Sequence, residues 1–204
     1  MQTLIEHART FPAKAAENRH AFARLADGQQ PQALFIACSD SRVIPALFTG
    51  ARPGEIFELR TAGNIVPPHR PQAACAVAGT IEFAVMALGV PDIVVCGHSH
   101  CGAVKGLLDE RSVQTMPLVR HWLTQARHRA DGDGDGAWQG RGLGEDSTTA
   151  AQRHLLTQLG NLRSHPAVAR RLAAGRLRLH AWYYTVETGE VLTCPAGGDT
   201  FKPL

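Results

Sequence analysis

Apolar and polar positions follow two different periods along this chain. Over residues 3–25, Leu4, Ile5, Phe11, Ala15, Phe22 and Leu25 recur at helical spacing, interrupted at Pro12 and ending at Asp27-Gly28, so helices are expected ahead of the core. Elsewhere the apolar residues come in short unbroken runs. QALFIAC (32–38) and PDIVVCG (91–97) read as strands of a parallel sheet buried on both faces. GEIFELR (54–60) is a third strand, and AVAGTIEFAVMALGV (76–90) has the length and spacing of a helix leading into the 91–97 strand. Further on, STTAAQRHLLTQLGNL predicts a helix, a second short one follows Pro166, and GRLRLHAWYYTVETGEVLTC reads as two strands joined at Thr188-Gly189. Strand, crossover helix and strand is the alternation of an α/β fold, here a mainly parallel central sheet with flanking helices.

The 204 residues suit one domain, and no internal repeat or second core is evident. Residues 1–27 form a helical arm, and 130–147, ADGDGDGAWQGRGLGEDS, a flexible glycine-rich loop. Asp131, Asp133, Asp135 and Gly136 match the opening of a calcium loop, but Gly142 stands where the bidentate glutamate belongs, so calcium is not expected.

A formal charge of +3 with scattered Lys and Arg implies no nucleic-acid partner. No apolar stretch reaches the ~18–20 residues of a membrane span. The N-terminal residues include acidic ones and lack a signal-type apolar region, so a cytoplasmic protein is expected. Five cysteines, an odd number, argue against a disulfide framework. Cys75 and Cys96, within apolar runs, read as small buried hydrophobes, and Cys194 as inert near a turn.

The chemistry concentrates at two strand ends. ALFIACSDSRV (33–43) and IVVCGHSHCGAV (93–104) each carry an apolar strand into a cysteine or histidine followed by polar residues. Carboxyl ends of parallel strands face the crevice where such folds bind ligands. Cys101, three residues after His98 and ahead of a helix, can return its sulfur to the same point. Cys38, His98 and Cys101 suit zinc, with a fourth position open, as at catalytic sites. Two other readings stand beside this one. In the first, His98 bonds locally and the cysteines fill space; in the second, Cys38 is a hydrolase nucleophile with His98 as base, which leaves Cys101 unexplained. The glycines of GHSHCGAVK do not make a phosphate loop, because Ala103 occupies the lysine position. His100 is expected to be exposed, pointing away from His98 in an extended segment, with proton shuttling the lesser option.

CSDSRV (38–43), GEIFELRTAGNIVPP (54–68), GTIEFAV (79–85) and IVVCGHSHCGAVKGLL (93–108) resemble the β-class carbonic anhydrases, in the branch containing the plant enzymes and the bacterial cyanate-operon enzyme. The similarity extends through MPLVRHWL (116–123) and residues 160–191. It implies one zinc ion per chain on Cys38, His98 and Cys101, with Asp40 and Arg42 as the catalytic carboxylate–guanidinium pair. It further implies a substrate site of Gln29, Phe57, Phe83 and Gly102, with Gln29 reaching across a dimer interface. The partners implied are carbon dioxide and bicarbonate, and a homodimer or higher even-numbered oligomer. Phe83 replaces the family's usual tyrosine, Thr61 an asparagine and His154 a common asparagine.

The reaction expected is reversible hydration of carbon dioxide to bicarbonate and a proton, zinc lowering the pKa of bound water towards ~7. Asp40 would orient that water while Arg42 keeps Asp40 ionised. Hydrolysis of carbonyl sulfide or carbon disulfide, and a structural zinc or thiol sensor, are the rival functions. Arg60 and Tyr184 match two of three positions of the family's bicarbonate-regulated type, but the tryptophan position holds Phe35, which has no N–H to donate; Asp40 is therefore expected to stay with Arg42.

Overall fold

The structure, a computed structural model, describes residues 1–71, 75–127 and 146–204. The calcium-like motif and almost all of the glycine-rich segment fall outside these residues. In chain order the elements are α1 (Gln2–Glu17), α2 (Arg19–Leu25), β1 (Ala33–Cys38), α3 (Pro45–Thr49), β2 (Ile56–Thr61) and α4 (Ala76–Glu82). A π-helical turn, Phe83–Ala87, continues α4. Next come β3 (Asp92–His98), α5 (Gly102–Leu108), α6 (Pro117–Arg127), α7 (Ser147–Arg163), α8 (Pro166–Ala173), β4 (Arg178–Tyr184), β5 (Val191–Cys194) and β6 (Lys202–Pro203).

The sheet runs β2-β1-β3-β4-β5-β6. Its first four strands are parallel, and β5 and β6 are antiparallel. The chain leaves β1 for one neighbour, β2, and returns on the other side as β3, so the connections diverge between β1 and β3. Such a switch point opens a crevice at the carboxyl ends of the strands. Cys38 ends β1 and His98 ends β3, which puts both at its mouth.

Burial follows the strand period of two. Leu34, Ile36 and Cys38 of β1 join Ile93 and Val95 in the main core, while Phe35 and Ala37 point the other way, with Val94, Cys96, Phe48 and Trp182. Each Leu or Ile so buried stabilises the fold by roughly 1.5–3 kcal/mol. Helix α7 covers the main face. It starts at Asp146, whose carboxylate accepts hydrogen bonds from the Thr148 and Thr149 N–H groups at 2.9 and 3.0 Å, satisfying donors the first turn leaves free.

Three expectations need correction. Helix α1 runs through Pro12, and the chain breaks instead at Asn18 (φ −121°, ψ 38°); the good helix formers Ala13–Ala16 on its far side carry the helix past the missing N–H. Cys75 is exposed rather than buried, because it precedes α4, where its sulfur faces the Ala78 N–H at 3.5 Å. His100 does not lie in an extended segment: its φ is +56°, a left-handed turn that sends the chain back from β3 towards α5.

Helices α1 and α2 pack on each other, Phe11 against Phe22 with ring centroids 5.9 Å apart, yet neither buries a residue. Leu4 and Phe11 remain exposed. No helix among the described residues is long and apolar enough to cross a membrane.

Candidate metal centre

Three side chains from two strand ends converge below the surface. The sulfurs of Cys38 and Cys101 and a ring nitrogen of His98 lie within 4.8 Å of one another, and all three residues are buried. The sulfurs are 4.0 Å apart. A tetrahedral site with zinc–sulfur bonds of about 2.3 Å would put them about 3.8 Å apart, so the spacing fits a shared ion without rearrangement. His98 is 0% exposed. Its Nδ1 lies 2.8 Å from the Ser99 carbonyl oxygen, which can only accept, so Nδ1 carries the proton. Nε2 is left buried with no hydrogen-bond partner. An orphaned imidazole lone pair beside two thiols is a costly arrangement unless a cation completes it. The residues present fit zinc.

The thiols do not titrate alike. Cys38 is pulled well below the usual thiol range by the Cys101 thiol, against the opposing effect of burial, and the Gly63 and Asp40 N–H groups add to the pull. Cys101 is pushed up because its neighbour already holds the negative charge and because it is buried. The first proton leaves readily and the second stays until a cation takes its place.

Around this cluster the Cys38–Val43 turn is held from two sides. Arg42 donates from Nε to Asp40 Oδ1 at 2.9 Å and from Nη2 to Oδ2 at 2.7 Å, while its backbone N–H also reaches Oδ1 at 3.0 Å. This grip keeps the Asp40 carboxyl well below the usual carboxylate range despite partial burial. Asp40 Oδ2 is 4.0 Å from His98 Nε2, at the edge of the ligand cluster. From β2, Arg60 donates to the Cys38, Asp40 and Val43 carbonyls at 2.8, 3.1 and 2.6 Å.

A family model described as carbonic anhydrase matches residues 33–191, a span that holds every residue of this cluster. The chain is 45% identical over 196 residues to a carbonic anhydrase of Synechocystis sp., covering 94% of this chain and 70% of that protein. It is 44% identical to one from Pseudomonas aeruginosa, covering 90% and 82%. The solved structure of the β-carbonic anhydrase CcaA superposes with a TM-score of 0.90 at 40% identity, over 100% of this chain and 99% of that one. The chain belongs to the β-class carbonic anhydrases.

As a carbonic anhydrase it catalyses the reversible hydration of carbon dioxide. Cys38, His98, Cys101, Asp40 and Arg42 lie together at the carboxyl ends of β1 and β3, but Gln29, Phe57 and Phe83 do not join them. Phe57 pairs with Leu34, and Thr61 with Cys38, so Phe57 lies about 13 Å back along the strand from the cluster. Phe83 stands beside Phe57, ring centroids 5.9 Å apart. Gln29 is exposed in the segment before β1, at the opposite end of that strand from Cys38. Gly102, directly after Cys101, is exposed at the start of α5.

His100 is exposed as expected, and it pairs with Glu187 at 2.5 Å. Glu187 also accepts from Ser99 Oγ at 2.6 Å, and the Ser99 hydroxyl, with His100, holds its carboxyl down to about 2.

Sequence reasoning missed the polar face of α7. His154, Gln158 and Asn161 are fully buried and take up backbone groups of the 63–66 segment: His154 Nε2 to Gly63 O at 2.7 Å, Val66 N–H to Gln158 Oε1 at 3.0 Å, and Asn161 Nδ2 to Val66 O at 2.9 Å. Their spacing of four and three residues, on the same side as Leu155 and Leu162, is the signal that could have found them.

Proposed function

We propose that this carbonic anhydrase works with one zinc ion per chain held by Cys38, His98 and Cys101, with Asp40 as the catalytic carboxylate and Arg42 as its fixed partner. The observation that carries the reading is the unpartnered Nε2 of buried His98, in one cluster with two sulfurs that are 4.0 Å apart. Bound zinc supplies the Lewis acidity that brings water's pKa down towards about 7.

The chain's own residues supply the rest. Asp40, ionised across the working pH range by its contact with Arg42, accepts a proton-bearing donor at Oδ2 and so orients the attacking oxygen towards the substrate carbon. Arg42 also donates to the His100 carbonyl at 3.2 Å, tying the Asp40 turn to the turn that carries Cys101. Burial of both sulfurs keeps bulk water from competing for them.

Gln29, Phe57, Phe83 and Gly102 form the substrate-binding set, with Gln29, Phe57 and Phe83 serving the site of a second copy. Their separation from the cluster within one chain supports this assignment, as do the exposed apolar side chains of α1 and α2. The working unit is a homodimer or a larger even-numbered assembly of single-domain chains. Five unpaired cysteines favour a reducing, cytoplasmic setting.

Stopped-flow hydration of carbon dioxide, with zinc content measured on the same sample, tests the reading. Turnover proportional to zinc, approaching one ion per chain, is expected. Full turnover in metal-free protein would overturn it.

A further inference from the structure

Gly63 sits where two distant elements meet the metal cluster. Its N–H points at the Cys38 sulfur at 3.3 Å. That N–H belongs to the Ala62–Gly63 peptide, whose carbonyl accepts a hydrogen bond from Trp122 Nε1 of α6 at 2.8 Å. Indole N–H, amide carbonyl, amide N–H and sulfur therefore form one continuous chain through a conjugated amide. A donor at the amide oxygen draws charge from the nitrogen and makes its N–H a stronger donor.

The next peptide is held just as firmly. The Gly63 carbonyl takes the Nε2 proton of His154 at 2.7 Å. Gln158 Nε2 stands 3.4 Å from His154 Nδ1; the amide donates there, which leaves the ring's own proton on Nε2. Burial keeps His154 neutral, its pKa pushed down to about 4, so the donor does not change over the enzyme's working range. With both flanking carbonyls fixed, Gly63 cannot swing its N–H away from the sulfur.

Only glycine allows this approach. Gly63 has φ +75°, and a Cβ there would stand 2.6 Å from the Ala103 Cβ. The segment is thus pressed onto the turn that also delivers Cys101.

We propose that Trp122 and His154 are positioning residues that aim the Gly63 N–H at the Cys38 thiolate and so limit how much charge that sulfur gives to a bound metal. A thiolate relieved of charge by a hydrogen bond is a weaker donor, and the cation it holds stays a stronger Lewis acid. With two sulfurs in the donor set, this relief sets how acidic the site can be. The inference rests on the metal assignment proposed above.

Cobalt(II) in place of zinc makes the test visible, because its thiolate-to-metal charge-transfer absorption moves to longer wavelength when the sulfur becomes a better donor. Trp122→Phe keeps an aromatic ring and removes the N–H; His154→Leu removes the second donor; His154→Gln retains one. In Trp122→Phe and His154→Leu the band is expected to shift to longer wavelength, and the pH midpoint of kcat/KM of the zinc enzyme to rise by about half a unit, the size of one modest hydrogen bond. His154→Gln should stay close to wild type in both. If wild type gives no thiolate band with cobalt, the metal assignment fails. If wild type gives the band and it stays in place in Trp122→Phe, with the pH midpoint unmoved, the positioning role is overturned. Trp122→Phe alone decides the matter should His154→Leu not fold, and a loss of thermal stability without a band shift counts against the proposal.

Discussion

Arg42 grips Asp40 through both carboxylate oxygens, Nε at 2.9 Å from Oδ1 and Nη2 at 2.7 Å from Oδ2. The two residues are separated by one position in sequence, so the pair closes within a single turn. Arg42 is half exposed, and screening there makes the pair a weak contributor to stability. Its effect is geometric, fixing which Asp40 oxygen faces His98.

Arg42→Gln should therefore leave zinc content and thermal stability near wild type while lowering kcat/KM by on the order of 100-fold, the cost of a misaligned catalytic group. Unchanged kinetics in a zinc-replete variant would remove Arg42 from the machinery.

Replacing Cys101 by Ser exchanges a thiolate for a poor ligand. Metal and activity should be lost together, as read by elemental analysis and hydration assay on one preparation. Full zinc occupancy in Cys101→Ser would contradict the ligand assignment.

In the assembly proposed above, Gln29, Phe57 and Phe83 serve the site of a second copy. Sedimentation at micromolar concentration should show a dimer or larger even assembly. Leu4→Glu, which places a charge on the exposed apolar side of α1, should shift it towards monomer with a parallel fall in activity. A fully active wild-type monomer would argue against the shared site.

His154 gives stability a pH dependence with a definite sign. Its folded pKa is depressed to about 4 by burial, while an unfolded histidine titrates near ~6.5. Below ~6.5 the unfolded chain takes up a proton that the folded one refuses, so stability is complete above that pH and declines down to about pH 4. The loss is on the order of 3 kcal/mol. Urea midpoints followed from pH 7 to 4 should fall less steeply in His154→Gln than in wild type; parallel curves would show that His154 is not the source.

At the third position of β1, where a tryptophan would offer an N–H, Phe35 packs edge-on against Phe48 and Trp182. Arg60 already serves three carbonyls, and Tyr184 stacks on Phe48 at 4.7 Å. Bicarbonate held there would lack a donor, at a cost of roughly 1–3 kcal/mol. Activity should rise smoothly with pH and show no cooperative inhibition by bicarbonate; sigmoidal inhibition curves near pH 7 would refute this.

What the sequence disclosed was whatever is local. Cys38, Asp40 and Arg42 lie within five residues, His98 and Cys101 within four, and each set follows an apolar run whose end marks the crevice. Five of the six strands were legible for the same reason, down to the Thr188-Gly189 hairpin; the two-residue β6 (Lys202–Pro203) is too short to carry an apolar run. Support from a distance was not. Trp122 lies 60 residues from Ala62 and His154 lies 91 from Gly63; nothing in the local pattern marks Trp122 as an anchor, and His154 is marked only by its spacing with Gln158 and Asn161 on the apolar side of α7. Cys75 misled because an apolar neighbourhood in sequence does not say which side of a helix start faces water.

The 4.0 Å between the Cys38 and Cys101 sulfurs also bears on durability. While a dication is bound, both sulfurs are committed to it. Once it is stripped, a peroxide can oxidise the ionised thiol to a sulfenic acid, and the neighbouring thiol can displace water from it to close a disulfide. Such protein should be two hydrogens lighter by mass spectrometry and refuse zinc until a thiol reductant restores it. Full reloading without reductant would show that this disulfide does not form. On the ligand assignment proposed above, a bound metal would act as guardian of its own ligands, and chelation in the presence of an oxidant should inactivate the enzyme more lastingly than chelation alone.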